Sequence, residues 1–296
     1  MKRYVDVIKK VKGFLPRKKY VLLFLSGFLL ASLFYFYSED KYEKEVFSAM
    51  AKEVYAEAGP YSYNPDTLAL KALHLTHYLA ERRLTVFGDK NSFNSIQSSL
   101  IQPVTDDLMT ARGACGSFSY VLSRLLEEME IDCRIAQMKA NGQYGSHMVV
   151  EAKTQQGWVV LDPIFDQYFV NADGSLASFA DVKANWGRFS KQVNASYDLA
   201  YAYEDARYTN WNKVPVVMPA IKKVLYWTIG KKETDGLSIR SLFLRKYHVL
   251  FLTTLLLLVL EAWIVFRMYM KRKQYRLPVD TNKLWSNKER HSPLPA

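Results

Sequence analysis

Hydrophobic residues fall along this chain in two long unbroken runs, and between those runs first at helical steps and then in alternation. The runs are residues 20–37, with VLLFLSGFLLASLFYF at the centre and no charge inside, and residues 248–266, whose one charge is Glu261. Each is long enough to cross about 30 Å of hydrocarbon. A signal peptide is the competing reading of the first. That run leads into Phe34-Tyr-Phe-Tyr37 and not into a small-residue cleavage site, so an uncleaved anchor is expected. The second holds Leu255-Leu-Leu-Leu-Val-Leu260 and is followed by basic residues, which favours a second span over a buried helix.

Inside the runs, Val46, Met50, Val54 and Tyr55 share one face of a helix over 41–58, which Gly59-Pro60 ends. Asn64-Pro65-Asp66 offers a cap, a first-position proline and an early acid for a second helix reaching about Arg83. A short helix is expected at 92–101, and Thr105-Asp-Asp107 is a further cap signal before Leu108. The best-defined helix is 116–130. Its apolar residues Phe118, Val121, Leu122, Leu125, Leu126 and Met129 recur as a single buried face requires. Alternation then takes over, and 133–138, 147–152 and 158–161 read as strands joined by turns at Gly142 and at 154–157. A helix followed by an antiparallel meander is an α+β order. Beyond it lie a Gly174-Ser turn, a short helix at 176–184 and loops rich in Tyr and Asn. Residues 215–229 mix apolar side chains with Lys222 and Lys223. They read equally as a helix on a membrane surface or as one closing the core.

Charge adds a topology. The net charge is +11, but residues 1–19 carry +7 and residues 267–296 carry +6, which leaves −2 for everything between. The excess is therefore a flanking signal and not a nucleic-acid footprint. Basic flanks stay on the cytoplasmic side. The expected organisation is a cytoplasmic tail (1–19), a span (20–37), an extracytoplasmic domain (38–247), a second span (248–266) and a second cytoplasmic tail (267–296). This is a two-pass protein of the inner (cytoplasmic) membrane, in contact with lipid and with possible partner membrane proteins. Lys222, Lys223, Lys231, Lys232, Arg240, Arg245 and Lys246 precede the second span and even out its flanks. In this topology they would face outer-leaflet headgroups or an anionic polymer.

The candidate chemistry is concentrated in Arg112-Gly-Ala-Cys-Gly-Ser-Phe-Ser119, Gly145-Ser-His147 and Gly157-Trp-Val-Val-Leu-Asp-Pro163. A thiol attacks as thiolate, and a cysteine opening a helix faces unpaired N–H groups and the positive end of the dipole. A histidine can take the thiol proton and return it to a leaving group, and an aspartate can fix the imidazole tautomer. Cys115 at a helix start, His147 on a strand and Asp162 closing the next strand supply these three roles. Gly113 and Gly116 flank the cysteine and would allow a tight turn and close approach of a substrate carbonyl. The Cys115 N–H is a candidate oxyanion donor. Gln102 and Tyr144 are guesses for a second.

These motifs, with the helix ending at Met129-Glu-Ile-Asp-Cys-Arg134 and the segments Ser146-His147-Met-Val-Val-Glu151 and Trp158-Val-Val-Leu-Asp162-Pro163, resemble the core of the transglutaminase-like superfamily. The similarity covers roughly 108–170. It implies a papain-like α+β core, with Cys115, His147 and Asp162 as nucleophile, base and orienting acid, and Trp158 as the tryptophan before Asp-Pro beside the binding region. It implies no cofactor and no metal. Many relatives carry Ala-Trp after the histidine, where this chain has Met148-Val149, which changes the pocket wall. The anchors resemble those of bacterial envelope members. Two functions follow. One is a membrane-anchored thiol enzyme working through a Cys115 thioester on amide or acyl bonds, as peptidase, amidase or acyltransferase, with an envelope protein or peptide as substrate. The other is a non-catalytic binding or scaffold protein of an envelope or exopolysaccharide assembly.

Several other residues have plainer readings. Cys133, on an alternating strand, reads as a small buried residue and not as a disulfide partner of Cys115. His74 and His77 share a helix face but lack an evident third metal ligand, so helix packing is expected. Asp166 could stand in for Asp162, and Arg112 reads as a loop brace. Glu261 reads as a mark of a partner helix or as a solvated end. Asn194-Ala-Ser196 matches a glycosylation acceptor, which carries no meaning in a bacterial protein. Tyr197, Tyr201, Tyr203, Tyr208 and Trp211 suit either a groove or ordinary packing.

Overall fold

The computed structural model describes residues 2–87 and 102–274. The short helix expected at 92–101 lies outside the described residues. The chain divides into a central unit, Phe36–Leu250, and a unit made of the residues before and after it.

In the flanking unit the two apolar runs are helical. Helix α1 (Lys2–Ala58) passes through the first run and continues without interruption, so the span and the helix expected at 41–58 are one element. The physical reason is local: residues 38–58 contain neither proline nor glycine, and the first stop signal is Gly59-Pro60. The last helix, α10 (Lys246–Gln274), carries the second run. Both are long and apolar enough to cross a membrane. Ser26 on α1 donates from Oγ to Glu261 Oε1 at 2.9 Å, and Glu261 is buried. Glu261 is thus a helix-packing residue and not a solvated end.

The central unit is built on a five-stranded antiparallel sheet in the order β4-β3-β2-β1-β5. Its strands are β1 (Cys133–Ala140), β2 (Gln143–Thr154), β3 (Gly157–Asp162), β4 (Gln167–Tyr168) and β5 (Ala206–Arg207). Asn141 and Gly142 join β1 to β2, both with positive φ, the conformation a two-residue hairpin needs. Before the sheet come α2 (Pro65–Phe87), α3 (Val104–Thr110) and α4 (Cys115–Glu128). After β4 come α5 (Phe179–Ala184), closed by a Ser178–Asp181 capping box, and α6 (Trp186–Phe189). The short helices α7 (Val217–Thr228), α8 (Lys231–Gly236) and α9 (Ile239–Leu242) lead into α10.

Strand alternation divides the hydrophobic residues between two cores. Ile135, Val150, Ala152, Val159 and Leu161 pack against Val121, Leu122, Leu125 and Leu126 of α4 and against α1 and α2. Ala136, Met138, Val149 and Val160, on the opposite face, pack with Phe169, Phe179, Phe189 and Tyr203. Each fully buried aliphatic or aromatic side chain contributes about 1.5–3 kcal/mol. Arg124 interrupts the apolar face of α4, yet it is only 1% exposed. Its guanidinium is held by Glu128 at 2.9 Å and Glu43 at 3.4 Å, so a buried charge is paired and ties α4 to α1.

Candidate active site

Cys115 is the first residue of α4, and the turn that delivers it is strained. Ala111 and Ala114 both hold positive φ, at 50° and 46°, a region that alanine avoids. Two features hold the turn in place. The Gly113 N–H donates to Ser117 Oγ at 2.9 Å, and Ser117 Oγ donates to Asp107 Oδ1 at 2.5 Å. A Cβ on Gly113 would lie 2.7 Å from Ser117 Oγ, so the absence of a side chain there is a packing requirement. Gly116 differs. Its nearest neighbour would be Met148 Cε at 3.6 Å, an ordinary contact. Burial pushes the Asp107 carboxyl up to about 6, against the lowering effect of the Ser117 bond.

His147 lies on β2 with its side chain on the face of the second core, and it is 1% exposed. Asp162 ends β3 on the same face. The imidazole Nε2 meets Asp162 Oδ2 at 2.7 Å, and the Cys115 thiol is near enough to act on the imidazole's charge. With Nε2 committed to the carboxylate, Nδ1 is the nitrogen for sulfur. Burial works against a charged imidazole here, but the Asp162 carboxylate and Cys115 outweigh it and hold the pKa up to about 10. Tyr201 stacks on the imidazole with ring centroids 4.3 Å apart and planes 11° apart, and Phe165 covers it at 5.7 Å. Ser119 Oγ donates to the Met148 carbonyl at 3.1 Å and ties α4 to β2 beside the histidine.

The loop after Asp162 is fixed from α2. His77 Nδ1 donates to the Pro163 carbonyl at 3.1 Å, and His74 Nδ1 meets both oxygens of Asp166 at 2.7 and 2.8 Å. The two histidines therefore position the segment that carries the aspartate, and among the described residues no third ligand joins them. Asp166 is engaged with His74 and not with His147.

The structure thus brings Cys115, His147 and Asp162 together. It does not bring Trp158 to them. That side chain lies at the other end of β3, with the Arg134 guanidinium 4.3 Å over its ring and 4.1 Å over Tyr208. They line an open pocket of about 510 Å³ with Glu151. Neither candidate for a second oxyanion donor is directed to the thiol by its hydrogen bond. Gln102 Nε2 donates to Asp107 at 3.2 Å, and the Tyr144 hydroxyl donates to Asp205. Cys133 bonds the Ser123 carbonyl at 3.4 Å, and burial pushes its thiol up to about 12. Both cysteines are free. Sequence reasoning did not single out Phe165, Ser117 or the role of Asp107 in the turn. Only the cap signal at 105–107 and the Tyr-rich loop hinted at such partners.

Residues 60–163 match the model of the transglutaminase-like superfamily core. The match begins at the residues leading into α2 and ends directly after Asp162. No curated protein and no solved structure matches the chain.

Proposed function

We propose, from the premise that this chain carries a transglutaminase-like core, that it is a membrane-anchored thiol enzyme acting on amide or acyl bonds of a cell-envelope substrate. The observation that supports this most is the buried His147–Asp162 pair at 2.7 Å, with the Cys115 thiol near enough to act on the imidazole. An imidazole held up to about 10 is a cation at neutral pH, placed beside the proposed nucleophile. The thiolate adds to the substrate carbonyl carbon, and the Cys115 N–H at the helix start faces the oxyanion that forms. As the carbonyl's bond to the leaving group breaks, His147 delivers its proton to the departing amine or alcohol. Water or an acceptor amine then attacks the thioester, gives a proton to His147 and releases the thiolate. Water makes the protein a peptidase or amidase, and an amine makes it an acyltransferase. The basic flanks favour placing the central unit outside the cytoplasm, with both termini inside.

A non-catalytic binding or scaffold role is the second reading, and one observation favours it: Tyr201 lies flat on an imidazole that is already buried. The deciding experiment follows iodoacetamide alkylation of Cys115 against pH in the full-length chain and in His147→Ala. Fast labelling near pH 6 that is lost in the variant is expected. Labelling that rises only near the free-thiol pKa of about 8.5, unchanged by the substitution, would leave the binding role.

A further inference from the structure

An apolar cavity of about 430 Å³ lies beside Tyr120 of α4. Its wall is formed by Met218 of α7, Ile239 of α9, Phe243, and Val249 and Leu250 in the first turns of α10. Two contacts connect it with the nucleophile. Arg240, in the wall, places Nη1 3.5 Å from Met148 Sδ, and the Met148 methyl is the group nearest the Gly116 Cβ position. Tyr120 itself lies within the electrostatic reach of Cys115. Met148, the residue that follows the histidine, thus touches a wall residue of this cavity and lies against the position next to Cys115.

The composition of the wall is specific. Lys213, Arg240 and Lys246 are the charged residues among its described lining, which contains no carboxylate, while Asp107 and Glu43 act on Lys246 from outside it. The elements that build the wall also expose apolar surface. Helix α7 has no buried residue. Val217, Ile221 and Val224 form an exposed stripe along it, and Trp227 is 93% exposed. Leu242 and Phe243 after it are exposed as well. An amphipathic helix with lysines beside an exposed apolar stripe suits the headgroup–acyl boundary of a bilayer. The helix that begins at Lys246 is long and apolar enough to cross one.

We propose that this cavity takes an acyl chain of an anionic membrane lipid, with the cations at the headgroup and the chain among Met218, Ile239 and Phe243. On the reading that Cys115 is a nucleophile, the substrate is then an acylated molecule drawn from the bilayer and not a soluble peptide.

The test uses the full-length chain in phosphatidylcholine nanodiscs that contain a phosphatidylglycerol with a diazirine at the end of one acyl chain. After irradiation, adducts are mapped by peptide mass spectrometry. Adducts are expected at Met218, Ile239 or Phe243, about tenfold above those from phosphatidylcholine carrying the same diazirine, a preference of about 1.4 kcal/mol. Met218→Trp fills the cavity from a half-buried position on α7 and should lower these adducts about tenfold while adducts at 251–266 persist. Lys213→Glu should reduce the preference for the anionic lipid. Adducts confined to 251–266 and to the exposed face of α7 would overturn the proposal, as would equal labelling by both lipids that Met218→Trp does not change. Cys115→Ala is expected to label like the parent, so the cavity is judged independently of whether the thiol reacts.

Discussion

The two glycines beside Cys115 look equivalent in sequence, and the structure makes them opposites. In Gly113→Ala the new methyl would stand 2.7 Å from Ser117 Oγ and 3.3 Å from the Ser117 nitrogen. Ser117 is 1% exposed, so its hydroxyl cannot swing out to water. Relief requires the loss of the Gly113 bond, the Asp107 bond or both. A hydrogen bond to a charged group is worth about 1.5–3 kcal/mol, and overpacking adds about 1–3 kcal/mol. The expected loss is about 2–5 kcal/mol, or a drop of about 5–15 °C in Tm for a unit of this size. Gly116→Ala meets only Met148 Cε at 3.6 Å, in a helix where alanine is favoured by about 1 kcal/mol. It should raise Tm by about 2–4 °C. Both are measured as thermal unfolding of the full-length chain in nanodiscs by tryptophan fluorescence, with the alkylation rate of Cys115 read in parallel. Gly113→Ala should also slow that alkylation, since the displaced turn carries the thiol. A Gly113→Ala protein as stable as the parent, or a Gly116→Ala protein less stable than Gly113→Ala, would refute the claim that Ser117 and Asp107 clamp this turn.

Two further outcomes follow from the titrating groups. The folded Asp107 carboxyl sits at about 6, above its unfolded value, so its contribution is complete at low pH and is lost as pH rises through that value. Stability should fall by on the order of 2–3 kcal/mol between about pH 4 and 6, and Asp107→Asn should remove that step in pH-dependent unfolding. His147, raised to about 10, acts in a separate window: its contribution is complete below about pH 6.5 and is lost as pH rises toward 10. Among the cysteines, Cys115 should be alkylated at least about a hundredfold faster than Cys133 at pH 8, because only a thiolate reacts. Peptide mapping of labelled protein measures this directly, and equal labelling would count against a buried role for Cys133.

The pattern of hydrophobic positions was enough to read the two apolar helices, the buried face of α4 and the β1–β3 meander, because each rests on local periodicity or on a turn residue such as Gly142. The order Cys115, His147, Asp162 was legible for the same reason: each sits at a helix start or on a strand. What periodicity cannot carry is contact between distant segments. The strands β4 and β5 are two residues long and exist only through pairing with β3 and β1. Arg124 sits inside an apolar helix face, where Glu128 on the same helix and Glu43, 81 positions away, pair its charge. His74 and His77, on α2, become positioning residues because the fold places Pro163 and Asp166 against them. Tyr201 came from a loop whose tyrosines suited a groove or packing alike, and the fold divides them: Tyr197 and Tyr203 fill the second core, Tyr201 lands on His147, and Tyr208 lines an open pocket. The sequence by itself determined which residues are candidates for chemistry and which segments are apolar enough for a membrane. The tertiary structure decided what holds those residues in place, since burial, pairing of charges and ring stacking are properties of segments that meet only in three dimensions.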